Sequence, residues 1–471
     1  MASRIIIVNL SQPLAWASAF LVAAALFYAP LAYGCTPPEM LPTLYVLLIG
    51  ATALGALGFL VNRTWPAIPP LVILCVVGLI AQGWWLTWDP VLPTRAAENG
   101  GTLDTSLAEL YRLSSASMLL TTVLTATFLV LCGLMGNVFI RRFLLMSAAG
   151  SGVLVCVVGV VLKTVGAPLM KYIWKPFDIY WNDFAFFRYH GNAGSFLILV
   201  WPLILVFTRR AYAPQGGLFK KAVWTVASAM CAVSLFLNAS KAALIIGILI
   251  LPWPFLTLLL RMKREAQAVL AGSTLVLVTG GMLMSGQFAH EAAFERLTNG
   301  QEVSGSVHGR IDAYADNLRA VPDAGLFGYG PGMFQVAFPY QNCPMRNVGE
   351  PMRNYAHEDY LQTAIEWGWL GTLAWSVLVF GGLWRGFHTY RQRSYFTSKT
   401  ERHLVLAAIL GICGTLAQAL VDFPLQIASL RLFFLLYLAL CWASPQLLTI
   451  PSREKRQRFR LPVPAEYAGK R

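Results

Sequence analysis

Residues 222–260 read AVWTVASAMCAVSLFLNASKAALIIGILILPWPFLTLLL, and only Asn238-Ala239-Ser240-Lys241 interrupts their apolar character. A hydrocarbon core roughly 30 Å thick takes about 20 apolar residues at a rise of about 1.5 Å each. The stretch is too long for one membrane span and fits two, joined at the polar break. Similar runs on both sides place spans near 14–33, 41–61, 67–88, 114–135, 144–163, 190–207, 222–240, 242–260, 268–288, 366–384, 404–421 and 429–448. The expected fold is an all-α polytopic membrane protein of about twelve transmembrane helices. A large loop carrying short helices separates the ninth and tenth spans. The divisions are 1–288 for the first nine spans, 289–365 for the loop, 366–448 for the last three spans and 449–471 for a basic tail.

Composition agrees. Of 471 residues, 57% are hydrophobic and only 12% charged, and the mean hydropathy is +0.59. Water-soluble globular domains carry about a quarter charged residues, so that class is excluded. Disorder is excluded by the abundant apolar surface. The net charge of +14 would suit a nucleic-acid binder, but the cations lie between apolar runs rather than on one face.

Sorting the charges by side explains them. With the N-terminus inside, the inner segments are 1–13, 62–66, 136–143, 208–221, 261–267, 385–403 and 449–471. They hold 23 Lys and Arg against four acids, Glu265, Glu401, Glu454 and Glu466, a net +19. The rest of the chain carries −5. The opposite orientation would put Arg209, Arg210, Lys220 and Lys221 outside, against the positive-inside tendency. The tail Arg453–Arg460 is expected on anionic lipid. The first span runs beyond the apolar core of a signal peptide and is read as retained. Of eight cysteines, six lie within spans as small apolar packers. Cys35 and Cys343 remain, which allows at most one disulfide. No Cys/His spacing suits a metal.

Function is expected in the outer loops, about 89–113, 164–189 and 289–365, because loops on a rigid scaffold carry chemistry. The 164–189 loop holds nine aromatic residues between Tyr172 and Tyr189. They fit an interfacial belt or a surface for lipid or sugar rings. At its end Arg188 either snorkels or serves a site. Lys241 sits in an apolar run where a charge costs about 2.5–3.5 kcal/mol. It too either snorkels or marks an anion site. In the large loop, 309–320 (GRIDAYADNLRA) reads as a short helix with an Ile311, Tyr314, Leu318 stripe, stopped at Pro322-Asp323. The glycine-rich GLFGYGPGMF (325–334) follows. It is no nucleotide-binding loop, since no strand precedes it and no Gly-Lys-Ser/Thr closes it. His357, Glu358 and Asp359 then stand in succession before the tenth span. They form either a titratable site or a polar cap whose acids complement the helix dipole.

These elements resemble the O-antigen ligase and O-antigen polymerase superfamily of bacterial glycan-transfer membrane proteins. The resemblance rests on HGRIDAY (308–314), GLFGYGPGMF and AHEDYLQTAIEWGWLG (356–371). Tyr33-Gly34, Arg188…Asn192-Ala193-Gly194 and Asp422-Phe423-Pro424-Leu425 fit as well. Two positions depart from it: Glu358 stands where Asn is common, and Lys241 where Arg is frequent, keeping charge but losing the bidentate fork.

The resemblance implies transfer of a glycan from undecaprenyl diphosphate to an acceptor hydroxyl of lipid A-core or a similar glycan. The reaction would run at the periplasmic face of the bacterial inner membrane, amid membrane lipids, with no cofactor, metal, nucleotide sugar or nucleic acid. His357 would be the base, with Glu358 or Asp359 orienting or replacing it. Arg310, Arg188 and Lys241 would hold the diphosphate, with Arg310 also catalytic. A single displacement would invert the anomeric centre. Polymerase and protein-directed transferase remain within the enzyme class. The rival from another class is a lipid-linked glycan transporter or flippase. Against it, the halves show no internal repeat, which many transporters have. A non-catalytic scaffold would leave the His-Glu-Asp group and Lys241 unexplained.

Overall fold

The computed structural model describes residues 11–63, 66–91, 106–165, 184–214, 216–238, 240–249, 264, 267–268, 272, 311, 314–340 and 355–448. In a bilayer core an apolar segment must satisfy its own backbone, and a helix does so internally. The long helices are α1 (Ser11–Leu31), α2 (Leu41–Val61), α3 (Pro70–Trp88), α4 (Leu107–Leu134), α5 (Val138–Val165), α6 (His190–Ala211) and α7 (Leu218–Leu237). The stub α8 (Lys241–Leu249) and the short α9 (Phe334–Tyr340) precede α10 (Asp359–Arg391), α11 (Lys399–Gln418) and α12 (Ala428–Ala443).

Ten of these elements are long and apolar enough to cross a membrane, and they coincide with ten of the twelve expected spans. The eighth span is described only through Leu249, and the ninth lies almost wholly outside the described residues. The chain is an all-α polytopic membrane protein. Among the described residues, extended pairing is limited to two isolated bridges. The long run does divide at its polar break. Asn238 closes α7 by donating its N–H to Ser234 O (2.9 Å), and Ser240 Oγ accepts from Ala243 N (3.4 Å) at the start of α8.

Helix α12 is the axis. It packs against α1, α4, α6, α10 and α11. Helix α6, buried along almost its whole length, packs on α5, α7, α8 and α11. Lipid is as apolar as leucine, so close packing and interhelical hydrogen bonds hold such a bundle. Ser18 Oγ donates to Ala51 O (2.6 Å), Ser151 Oγ to Leu26 O (2.8 Å) and Tyr437 OH to Leu199 O (3.0 Å). Buried Glu401 takes Arg141 at 2.8 Å and Arg142 at 2.7 Å. The pair ties the start of α11 to the start of α5, about 30 Å along α11 from its other end.

Two boundaries differ from the sequence expectation. Helix α10 begins at Asp359 rather than 366, because Glu358 caps it and its polar first turns are covered by loop residues. The loop helix runs over 314–324, past Pro322, and ends where Gly325 turns left-handed at φ +66. Its buried side is Asn317, Ala320, Val321 and Ala324. Ile311 and Leu318 of the expected apolar stripe are exposed, at 57% and 62%.

Candidate active site

The glycine-rich run is built onto a kink in α10. Gly368 has φ +59 and ψ −169, a backbone conformation that only glycine adopts easily. The kink frees backbone groups on both sides, and the run takes them up. Tyr329 N donates to Ile365 O (3.0 Å), Gly330 N to Glu366 O (2.9 Å), Trp369 N to Gly325 O (3.2 Å) and Leu370 N to Leu326 O (3.0 Å). Gln82 Nε2, from α3, donates to Trp367 O (2.8 Å) and Phe327 O (3.0 Å). The buried Glu366 carboxylate accepts from Gln362 Nε2 (3.1 Å) and from the N–H groups of Gly332 and Phe334. The run is therefore a brace for the tenth span.

Above this brace stand His357, Glu358 and Asp359. His357 has φ +52, the left-handed region that costs a side-chain-bearing residue and persists only where its surroundings fix it. Here Tyr314 OH, from the loop helix, donates to Leu420 O (3.0 Å) and to His357 O (3.4 Å). Glu358 turns back as the cap of α10, accepting from Leu361 N (2.5 Å). Burial raises its carboxyl above the ordinary range, against the backbone N–H groups of Leu361 and Tyr360. Asp359 faces the turn after α11, where Oδ2 accepts from Leu425 N (2.8 Å) and Oδ1 from Gln426 Nε2 (2.9 Å). The three neighbours in sequence thus point to three different tasks.

The starts of α6 and α8 reach the same end of the bundle. Gly191 lies so close to Asp422 that a Cβ there would fall 1.9 Å from Asp422 Oδ2. Asp422 Oδ1 accepts from Phe423 N (3.0 Å) and Oδ2 from Gln418 Nε2 (3.4 Å). Tyr189 stacks on Phe423 at 5.4 Å and Tyr355 does so at 4.3 Å. The His357 ring stands 5.0 Å from Phe423 at 76°. Asn238 Nδ2 donates to His190 O (2.8 Å), fastening the α7–α8 break, and so half-buried Lys241, to the start of α6. The Oδ1 atoms of Asn192 and Asn238 are buried acceptors with no hydrogen-bond partner among the described residues.

Arg188 is exposed. A tight turn, with Phe184 and Phe187 exchanging backbone hydrogen bonds at 3.0 and 2.9 Å, presents it. Its guanidinium lies 5.4 Å over the ring of Tyr33, which follows α1. Arg310 lies outside the described residues, as do Cys343 and most of the aromatic 164–189 loop. Arg188, Lys241 and the His357–Asp359 group therefore come from three separated segments to one end of the bundle, with Tyr33 and Asp422-Phe423 among them. Among the described residues no group of three or more His, Cys, Asp or Glu could hold a metal.

Sequence reading missed Arg431. It donates Nε to Leu425 O and a terminal nitrogen to Gln426 Oε1 (2.8 Å). It also lines a crevice in the span region between α4, α10 and α12, with an empty volume of about 760 Å³ including its open mouth. Ser117, Thr121, Trp367, Trp375, Phe434 and Leu438 are among its walls. A charge at 431, inside an apolar run, was the available signal. Phe423 stands in the Asp422–Leu425 motif and Tyr189 in the aromatic loop, but no pattern in the sequence joins them and Tyr355 into one stack.

The fold and this site define a multi-pass membrane protein with a polar, aromatic-rimmed site at one end of its helices. Residues 226–376, about a third of the chain, match the family model described as O-antigen ligase. That stretch is similar to the O-antigen ligase and polymerase superfamily. It contains Lys241, Arg310, the glycine-rich run and His357–Asp359. No curated protein matches the chain.

Proposed function

We propose that the chain is an O-antigen ligase-type glycosyltransferase. It moves a glycan from undecaprenyl diphosphate to an acceptor hydroxyl on lipid A-core or a similar glycan. The acceptor O–H attacks the anomeric carbon and a C–O bond forms. The bond from that carbon to the diphosphate oxygen breaks, and inversion follows from the single displacement. The acceptor proton goes to His357, since a positioned base contributes about 10²–10⁴-fold. The departing diphosphate gathers negative charge, which Arg188, Lys241 and Arg310 stabilise. Glu358 and Asp359 support His357 through the backbone they anchor.

The observation that carries this reading is the convergence of His357, Lys241 and Arg188 at one end of a bundle of which residues 226–376 match the ligase family. The mainly apolar crevice between α4, α10 and α12 suits an isoprenoid chain, with Arg431 as a charged group in its wall. The net +19 of the inner segments and −5 of the rest orient both termini to the cytoplasm and the site to the periplasm. Deletion of the gene, followed by analysis of lipid-linked glycans, tests the proposal. Full-length polymer held on the lipid carrier is expected. Accumulated single repeat units would indicate a polymerase instead, and an unchanged set of surface glycans would overturn both.

A further inference from the structure

We infer that Phe423 is a positioning residue for His357, and that the Tyr189–Phe423–Tyr355 stack is the device that fixes the imidazole plane. The inference rests on the proposed role of His357.

Phe423 is 7% exposed, and its backbone N–H is held by Asp422 Oδ1 at 3.0 Å. Tyr355 lies parallel to it at 4.3 Å with 11° between planes, and Tyr189 at 5.4 Å with 6°. A ring aligned with two others cannot turn about its own axis without breaking both contacts. His357 meets this fixed ring at 5.0 Å and 76°, and meets Tyr189 at 6.5 Å and 72°. Both are edge-to-face geometries, which aromatic quadrupoles favour. The His357 backbone is held separately, in its left-handed conformation, by Tyr314. Backbone and ring are thus restrained from two directions, as a base that must meet a hydroxyl within hydrogen-bond reach requires.

A base displaced by about 1 Å loses about 100-fold in rate. The test uses the full-length protein in vesicles, with lipid-linked glycan extracted from the deletion strain as donor. Phe423→Leu and Tyr355→Leu are expected to lower kcat about 10- to 100-fold while donor KM stays within about 2-fold. Tyr355→Phe, which keeps the ring, is expected to restore kcat. Carbethoxylation of His357 by diethyl pyrocarbonate, read by peptide mass, is expected to quicken in both leucine variants. This second readout needs no transfer activity. Should Phe423→Leu fail to insert, Tyr355→Leu carries the test alone. Unchanged kcat, a loss confined to KM, an unaltered modification rate, or equal damage from Tyr355→Phe and Tyr355→Leu would each overturn the inference. Full transfer by His357→Ala would instead defeat the base assignment, and the modification rates would still decide whether the stack orders the ring.

Discussion

Asp359 holds Gln426 across the bundle: Oδ1 accepts Nε2 at 2.9 Å, while Gln426 Oε1 accepts from Arg431 at 2.8 Å. Oδ2 of the same carboxylate takes Leu425 N at 2.8 Å. The first residue of α10 is thereby tied to the turn between α11 and α12. Asp359→Ala leaves a half-buried N–H and a half-buried amide without acceptors, at about 1–3 kcal/mol together. Thermal unfolding in detergent is expected to show that loss, and Asp359→Asn, which retains one acceptor oxygen, a smaller one. An unchanged transition for Asp359→Ala would mean the carboxylate does not anchor the turn.

Gly191 is required by contact rather than by backbone angle. A Cβ there would lie 1.9 Å from Asp422 Oδ2 and 2.5 Å from Tyr189 Cε1. Both neighbours adjoin the His357 ring system. Gly191→Ala is expected to destabilise by about 1–3 kcal/mol, as overpacking does, and to reduce transfer. In a double-mutant cycle Asp422→Ala should recover part of the lost stability, since contacting sites couple. Strictly additive losses would contradict the contact.

The Glu358 carboxyl is pushed above its usual value of 4.5 by burial. The sign follows from linkage: the folded state favours the protonated form, so the stabilising contribution is complete below the unfolded value. It is lost as pH rises from about 4.5 through the raised folded value. Glu358→Gln keeps an acceptor for Leu361 N and removes the titration. Unfolding temperature against pH should therefore show a downward step above about pH 4.5 in the natural protein that is smaller in the variant. Superimposable curves would contradict this reading of the burial.

The spans were legible because bilayer thickness sets a length and hydropathy reveals it. Even the division at Asn238–Lys241 could be read, since polar residues in an apolar run mark a break. The start of α10 could not. Its first turns, from Asp359 to Glu366, are polar by composition but buried by the glycine-rich run and the turn after α11. The candidate site was legible residue by residue, as cations and titratable groups at span ends. Its wiring was not. Glu358 and Asp359 are adjacent in sequence, yet one caps its own helix and the other reaches a turn 67 residues away. Contacts between distant segments, such as Phe423 with His357, leave no local pattern. Arg431 did leave a trace, as a lone charge in an apolar span.

The most direct measurement is glycan transfer from a polyprenyl-diphosphate-linked donor by purified protein in vesicles, comparing the natural chain with His357→Ala. If His357 takes the acceptor proton, the variant should keep its thermal transition and donor binding but lose about 10²–10⁴-fold in turnover. A folded His357→Ala protein that transfers glycan at the natural rate would contradict the mechanism.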